Sequence, residues 1–118
     1  MEQKATGFAS PAQGYEEQGI DLNRLLIQNP PASYFCRIDS DELEEVGLFR
    51  GTLIIVDRSA DPLPGNFVLL RHEGQFLCRL MTEEKGKTVF SGGKEIIRPI
   101  NDETEIIGTV TASIRQYE

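Results

Sequence analysis

Side chains able to do chemistry are few and scattered in this chain of 118 residues, which holds one histidine, His72, and two cysteines, Cys36 and Cys78. His72 precedes Glu73-Gly74 between two apolar runs, where a hairpin tip is expected. An imidazole there could act as a base, but the reading favoured is an exposed turn residue. Cys36 and Cys78 lie in apolar, strand-like runs. A free cysteine in such a place packs as a small hydrophobe rather than serving as a nucleophile. One histidine and two separated cysteines do not supply a zinc site. Two cysteines also make no disulfide framework, so thiols in a reducing compartment are expected. The densest charge cluster is Asp39-Ser40-Asp41-Glu42-Leu43-Glu44-Glu45. A divalent-cation loop is one reading, but the glycine that a calcium loop needs for its sharp turn is missing. A solvated loop or the start of a short helix is expected instead. Gly92-Gly93 reads as a turn, without the strand–loop–helix spacing of a phosphate cradle. No cofactor and no metal are expected.

The elements that must position these residues are mostly strands. Residues 1–19 are rich in Gly, Ala, Gln, Ser and Glu, with Pro11 against any helix, and read as a mobile arm. A β domain is expected over residues 20–118. It opens with one short helix, in which Asp21 caps Leu22 to Gln28, Leu22, Leu25 and Leu26 share a face, and Pro30-Pro31 stop the run. Strands are predicted at Ser33–Ile38, Thr52–Asp57, Asn66–Arg71, Gln75–Met81, Lys87–Phe90, Glu95–Arg98 and Glu105–Ile114. The β-branched run Leu53-Ile54-Ile55-Val56 suits a strand buried on both faces. Pro62-Leu63-Pro64-Gly65 fixes a tight loop between strands. Turns every 8–12 residues point to a mainly-β folded sheet or barrel.

Composition narrows the function. With 12 Lys and Arg against 19 Asp and Glu, the net charge is −7. Strong direct binding to nucleic acid is therefore not expected, since that grip rests on basic side chains. No apolar run is long enough to span a membrane, and Met1 to Thr6 lack the apolar stretch of a signal peptide. A cytoplasmic location, without membrane association, is expected. Residues and spacing alone go no further than a small β domain.

Several segments resemble the LexA/UmuD group of self-cleaving serine peptidases. Gly7-Phe8-Ala9-Ser10-Pro11-Ala12 is similar to the Gly-Phe-Pro-Ser-Pro-Ala that follows the group's cleavage point. Ile20-Asp21-Leu22-Asn23-Arg24-Leu25-Leu26-Ile27-Gln28 resembles Ile-Asp-Leu-Asn-Gln-Leu-Leu-Ile-Gln, and Ala32-Ser33-Tyr34-Phe35 resembles Ala-Thr-Tyr-Phe. Gly51-Thr52-Leu53-Ile54-Ile55-Val56-Asp57 resembles Gly-Asp-Leu-Leu-Ile-Val-Asp, and the likeness fades after about Met81. The resemblance implies the group's mainly-β domain, with a short N-terminal helix and a mobile arm.

At the catalytic positions the sequence departs from the pattern. The group's nucleophile is the second Ser of Ser-Gly-Asp-Ser-Met, which aligns with Asp39-Ser40-Asp41-Glu42-Leu43, so Glu42 stands at that position. The group's base is a Lys in the strand after the hairpin; in Phe76-Leu77-Cys78-Arg79-Leu80 that position is Arg79. A Ser–Lys dyad needs a hydroxyl to attack and a neutral amine to take its proton. A guanidinium does not supply the neutral form, and a carboxylate is a poor nucleophile toward a peptide. The resemblance thus implies no catalytic residue, and a charge-assisted Glu42–Arg79 pair filling the cleft where a substrate peptide would lie. The junction before the arm reads Thr6-Gly7, where the group has Cys-Gly or Ala-Gly, and only Met1 to Thr6 precede it. A vestigial cleavage junction on a chain resembling the processed form is the expectation.

The function implied is that of a non-catalytic accessory subunit of an SOS-response translesion DNA polymerase. It would be a homodimer that binds a UmuC-type subunit and acts with the RecA filament. One alternative is a regulatory heterodimer partner of an active UmuD or LexA-like protein. Another is a peptidase with a relocated nucleophile such as Ser40 and a base such as Lys85 or Lys94.

Overall fold

The computed structural model describes residues 20–99 and 103–117. The arm expected over residues 1–19, with the Thr6-Gly7 junction, lies outside the described residues. Among the described residues, one short α-helix, α1 (Leu22–Leu26), precedes six strands: β1 (Ser33–Arg37), β2 (Leu53–Asp57), β3 (Phe67–His72), β4 (Gln75–Glu84), β5 (Lys87–Ser91) and β6 (Thr104–Ile114). They form one sheet in the order β1-β2-β6-β3-β4-β5, every neighbouring pair antiparallel. The mainly-β class read from the sequence holds, in the form of a sheet with β1 and β5 at its ends.

Burial explains the centre of the sheet. In β2, Ile54, Ile55 and Val56 are at most 2% exposed, and in β3 Val68 and Leu70 are fully buried. A strand buried on both faces reads as a continuous apolar run rather than as an alternation. One apolar cluster joins Ile54, Val56, Leu69 and Cys78 to Ile38, Leu43 and Leu48 from the segment between β1 and β2. A second joins Val68, Leu70, Met81 and Phe90. Each such aliphatic side chain contributes about 1.5–3 kcal/mol on burial. Gly108 in β6 lets the backbones of β6 and β2 close together: an added Cβ would sit 2.7 Å from Val56 Cγ1 and 2.9 Å from the Asp57 carbonyl oxygen.

Three local expectations are corrected. The helix ends at Leu26 instead of Gln28, and Ile27 is extended. Pro30 has no N–H to bond the Leu26 carbonyl and its ring would clash with it, and helical backbone is disfavoured at Asn29 before it, so the run stops at Leu26. The Asp21 cap is as expected, its Oδ1 accepting from the Asn23 and Arg24 N–H groups at 3.1 and 3.3 Å. The shared apolar face is not buried, since Leu22 and Leu25 are each 60% exposed. The strand predicted over 95–98 shrinks to one bridge, Phe90↔Ile97. The chain folds back onto β5 at Ile97, and Pro99 has no N–H to extend a ladder. His72 is not at the hairpin tip. It ends β3, half-buried, with its Nδ1 2.7 Å from Thr104 Oγ1 on β6. The tip is Glu73-Gly74, both in left-handed backbone (φ 52° and 81°), which two-residue hairpins require.

Candidate functional site

An open cleft of about 560 Å³ lies against the sheet. Its walls come from β1 (Tyr34, Phe35 and Cys36), from Ile54 and Leu69 in the middle of the sheet, and from Phe76 to Arg79 of β4. The start of the acidic segment closes one side through Asp39, Ser40 and Glu42. Leu43, 2% exposed, is the anchor that holds this segment against the sheet, its side chain packed in the first apolar cluster. A short 3₁₀ turn at Glu44–Val46 follows, ended by Gly47 in left-handed backbone (φ 93°). Arg50 ties the segment down from outside, its Nε and Nη2 each 3.3 Å from a carboxylate oxygen of Asp41. The acidic run is thus a loop with one apolar anchor. Among the described residues no three His, Cys, Asp or Glu side chains converge as a metal-binding group.

Glu42 and Arg79 meet at the cleft. Arg79 Nη2 lies 3.4 Å from Glu42 Oε1, with the arginine side chain 8% exposed and the glutamate 30%. Arg79 Nη1 donates to the carbonyl oxygen of Cys78 at 2.9 Å, and Nε has no partner among the described residues. The pair lines the cleft and does not fill it, which corrects the expectation. The guanidinium is drawn back against the chain: a Cβ on Gly93 would come within 2.5–2.7 Å of its Nη2, Cζ and Nε. Gly93 is therefore the seat of the buried guanidinium, a role that the sequence showed only as a turn signal. Nothing local to Gly92-Gly93 reveals the arginine 14 residues earlier in the chain.

The other candidate residues fall in and around this cleft. Ser40 lines it beside Glu42, but no lysine does. Lys85 is in the turn between β4 and β5, at φ 54°, and Lys94 follows Gly92-Gly93; both are exposed. Neither is brought into the cleft lining with Ser40. Cys36 and Cys78 both line the cleft as free thiols. Burial pushes the Cys78 thiol up to about 12, and raises Cys36 as well. A thiol so raised is a poor nucleophile at neutral pH, in keeping with core packing. Sequence reasoning missed the aromatic rim formed by Phe35 and Phe76, which are 55% and 66% exposed. Their only signal is the presence of a large aromatic in an otherwise outward position of a strand.

Such a cleft can hold an extended apolar segment against two aromatic rings, with an ion pair at one wall. It lacks a hydroxyl paired with an amine. Comparison with known proteins gives this geometry a context. Residues 1–111 match the family described as Peptidase S24-like. The chain is similar to protein SamA of Salmonella typhimurium (strain LT2), 32% identical over 110 residues, covering 93% of this chain and 79% of SamA. It is similar to protein MucA of Escherichia coli, 29% identical over 121 aligned positions, covering 99% of this chain and 83% of MucA. Protein ImpA of Shigella flexneri is 37% identical over 73 residues, which is 62% of this chain and 50% of ImpA.

Proposed function

This chain belongs to the Peptidase S24-like family, and from that premise we propose that it is a member without peptidase activity, an accessory subunit of an SOS-response translesion DNA polymerase. In this reading it forms a homodimer in the cytoplasm, binds a UmuC-type catalytic subunit and acts with the RecA filament. The observation that carries the reading is the Glu42–Arg79 contact at the cleft wall. Self-cleavage by a Ser–Lys dyad transfers a proton from a hydroxyl to a neutral amine as the oxygen attacks a carbonyl. At those two positions the carboxylate brings no hydroxyl to attack and the guanidinium no neutral nitrogen to take its proton. Ser40 is two residues from the nucleophile position, and even a 1 Å misplacement costs on the order of 100-fold in rate. The net charge of −7 suits a subunit whose partners make the contacts to DNA.

Two assays test the reading. The purified chain, held at high pH with RecA filaments, is expected to keep its mass; release of an N-terminal fragment would mean a working nucleophile elsewhere. A pull-down with the UmuC-type subunit of the same organism, then primer extension past an abasic site, is expected to give binding and bypass. Failure of a folded chain to bind would remove the polymerase role.

A further inference from the structure

A second hollow, of about 450 Å³, is lined by Arg37, Arg50, Gly51, Thr52, Arg115 and Gln116. It shares only Arg37 with the cleft. Sheet order creates it. Residue Arg37 of β1 pairs with Leu53 of β2, and Leu53 pairs with Ile114 of β6. The ends of three adjacent strands thus bring Arg37, Thr52 and Arg115 to one place, although they are far apart in sequence. In a chain of net charge −7, this hollow has three arginines and no acidic residue in its lining.

These arginines are not equivalent. Arg50 is already neutralised, holding Asp41 through two nitrogens, with Asp39 Oδ1 at 3.5 Å. Among the described residues, Arg37 donates to the Gly51 carbonyl oxygen, at 2.9 Å. Arg115 lies over the ring of Phe49, 3.8 Å from its centroid, and 5.0 Å from that of Tyr117. Neither Arg37 nor Arg115 has a carboxylate partner among the described residues, and both are exposed. Between them Thr52 is 2% exposed, and its buried hydroxyl has no hydrogen-bond partner among the described residues. A buried hydroxyl is normally partnered. Two exposed guanidiniums with no carboxylate partner among the described residues thus line one open space, and they match the oxygens of an anion.

We propose that this hollow binds an acidic peptide segment of a protein partner, with a carboxylate held by Arg37 and Arg115. Planar guanidiniums match a carboxylate through paired N–H···O bonds. Tyr117, 77% exposed and with its ring centroid 5.0 Å from the Arg115 guanidinium, offers an apolar face beside it. A nucleic acid fits less well, because its charge runs along a continuous phosphate backbone and the chain as a whole carries −7. The inference does not rest on the polymerase reading.

The test is a titration of the full ¹⁵N-labelled chain followed at the arginine Nε–Hε signals. The probes are tetraglutamate amide and an eight-residue oligothymidylate. Tetraglutamate is expected to shift Arg37 and Arg115 saturably, and the shifts are expected to fade at high salt. Arg37→Gln with Arg115→Gln is expected to weaken binding by about tenfold or more, the loss of a charge-assisted hydrogen bond. Tetraglutamate leaving both arginine signals unmoved would overturn the proposal without recourse to any variant. So would equal affinity in the double variant, or oligothymidylate shifting the same signals at lower concentration than the peptide.

Discussion

Replacing Glu42 by alanine separates a true ion pair from two charges that merely lie close. Arg79 is 6% exposed, and without Glu42 its remaining acceptor among the described residues is the Cys78 carbonyl. Breaking a fully buried pair from one side costs about 3–5 kcal/mol, because the other charge is left desolvated. Two features reduce that figure here: the contact is single and long at 3.4 Å, and the Glu42 side chain is 30% exposed. Water can follow into the gap and take up part of the lost bonding. The expected loss for Glu42→Ala is then about 1–2 kcal/mol, the scale of one hydrogen bond to a charged group. Arg79→Met keeps much of the stem and removes the charge, and the double variant should lie close to the parent, since apolar replacement of a buried pair is often neutral. The coupling from the full cycle is expected at about 1–2 kcal/mol. Urea unfolding measures it: with a slope of about 1–3 kcal/mol per molar, Glu42→Ala should lower the midpoint by roughly 1 M. An unchanged midpoint for Glu42→Ala, or losses that simply add in the double variant, would refute the reasoning.

Gly108→Ala is expected to cost about 1–3 kcal/mol, as for an overpacked core position, because backbone atoms at Asp57 and Arg58 cannot swing aside; thermal unfolding reads it, and a neutral variant would contradict the close approach of β6 to β2. Cys78, its thiol pushed up to about 12, should resist a disulfide reagent at neutral pH until the chain unfolds, with Cys36 reacting first; a mass-resolved time course checks the order. The Arg98 guanidinium, hydrogen-bonded to Glu84 at 2.6 and 2.9 Å, holds that carboxyl below its ordinary value of 4.5. Its contribution is present above pH 4.5 and disappears as the pH falls through the lowered value. Glu84→Gln should therefore flatten the acid limb of a stability-against-pH curve, and an unchanged limb would exclude the effect.

How far the sequence alone determined this protein follows from what is local. Runs such as Leu53-Ile54-Ile55-Val56 and the Glu73-Gly74 turn act over a few residues, so the strands and the hairpin between β3 and β4 were legible to within about three residues at their ends. The short helix was legible from the Asp21 cap, but its end was set by a proline restriction acting two residues earlier than expected. Periodicity states that a strand exists and says nothing of which strand lies beside it. Only the tertiary order β1-β2-β6-β3-β4-β5 set His72 against Thr104, 32 residues away, and drew it off the hairpin tip. The same order gathered Arg37, Thr52 and Arg115 into one hollow, where the sequence showed three unrelated residues. It reduced the segment around Ile97 to a single bridge, because a strand lasts only as long as the partner edge it can hydrogen-bond. Glu42 and Arg79 became candidates through family resemblance, 37 residues apart. Their seat, with the guanidinium buried against Gly93 and the cleft left open beside it, was decided by packing that no local signal encodes.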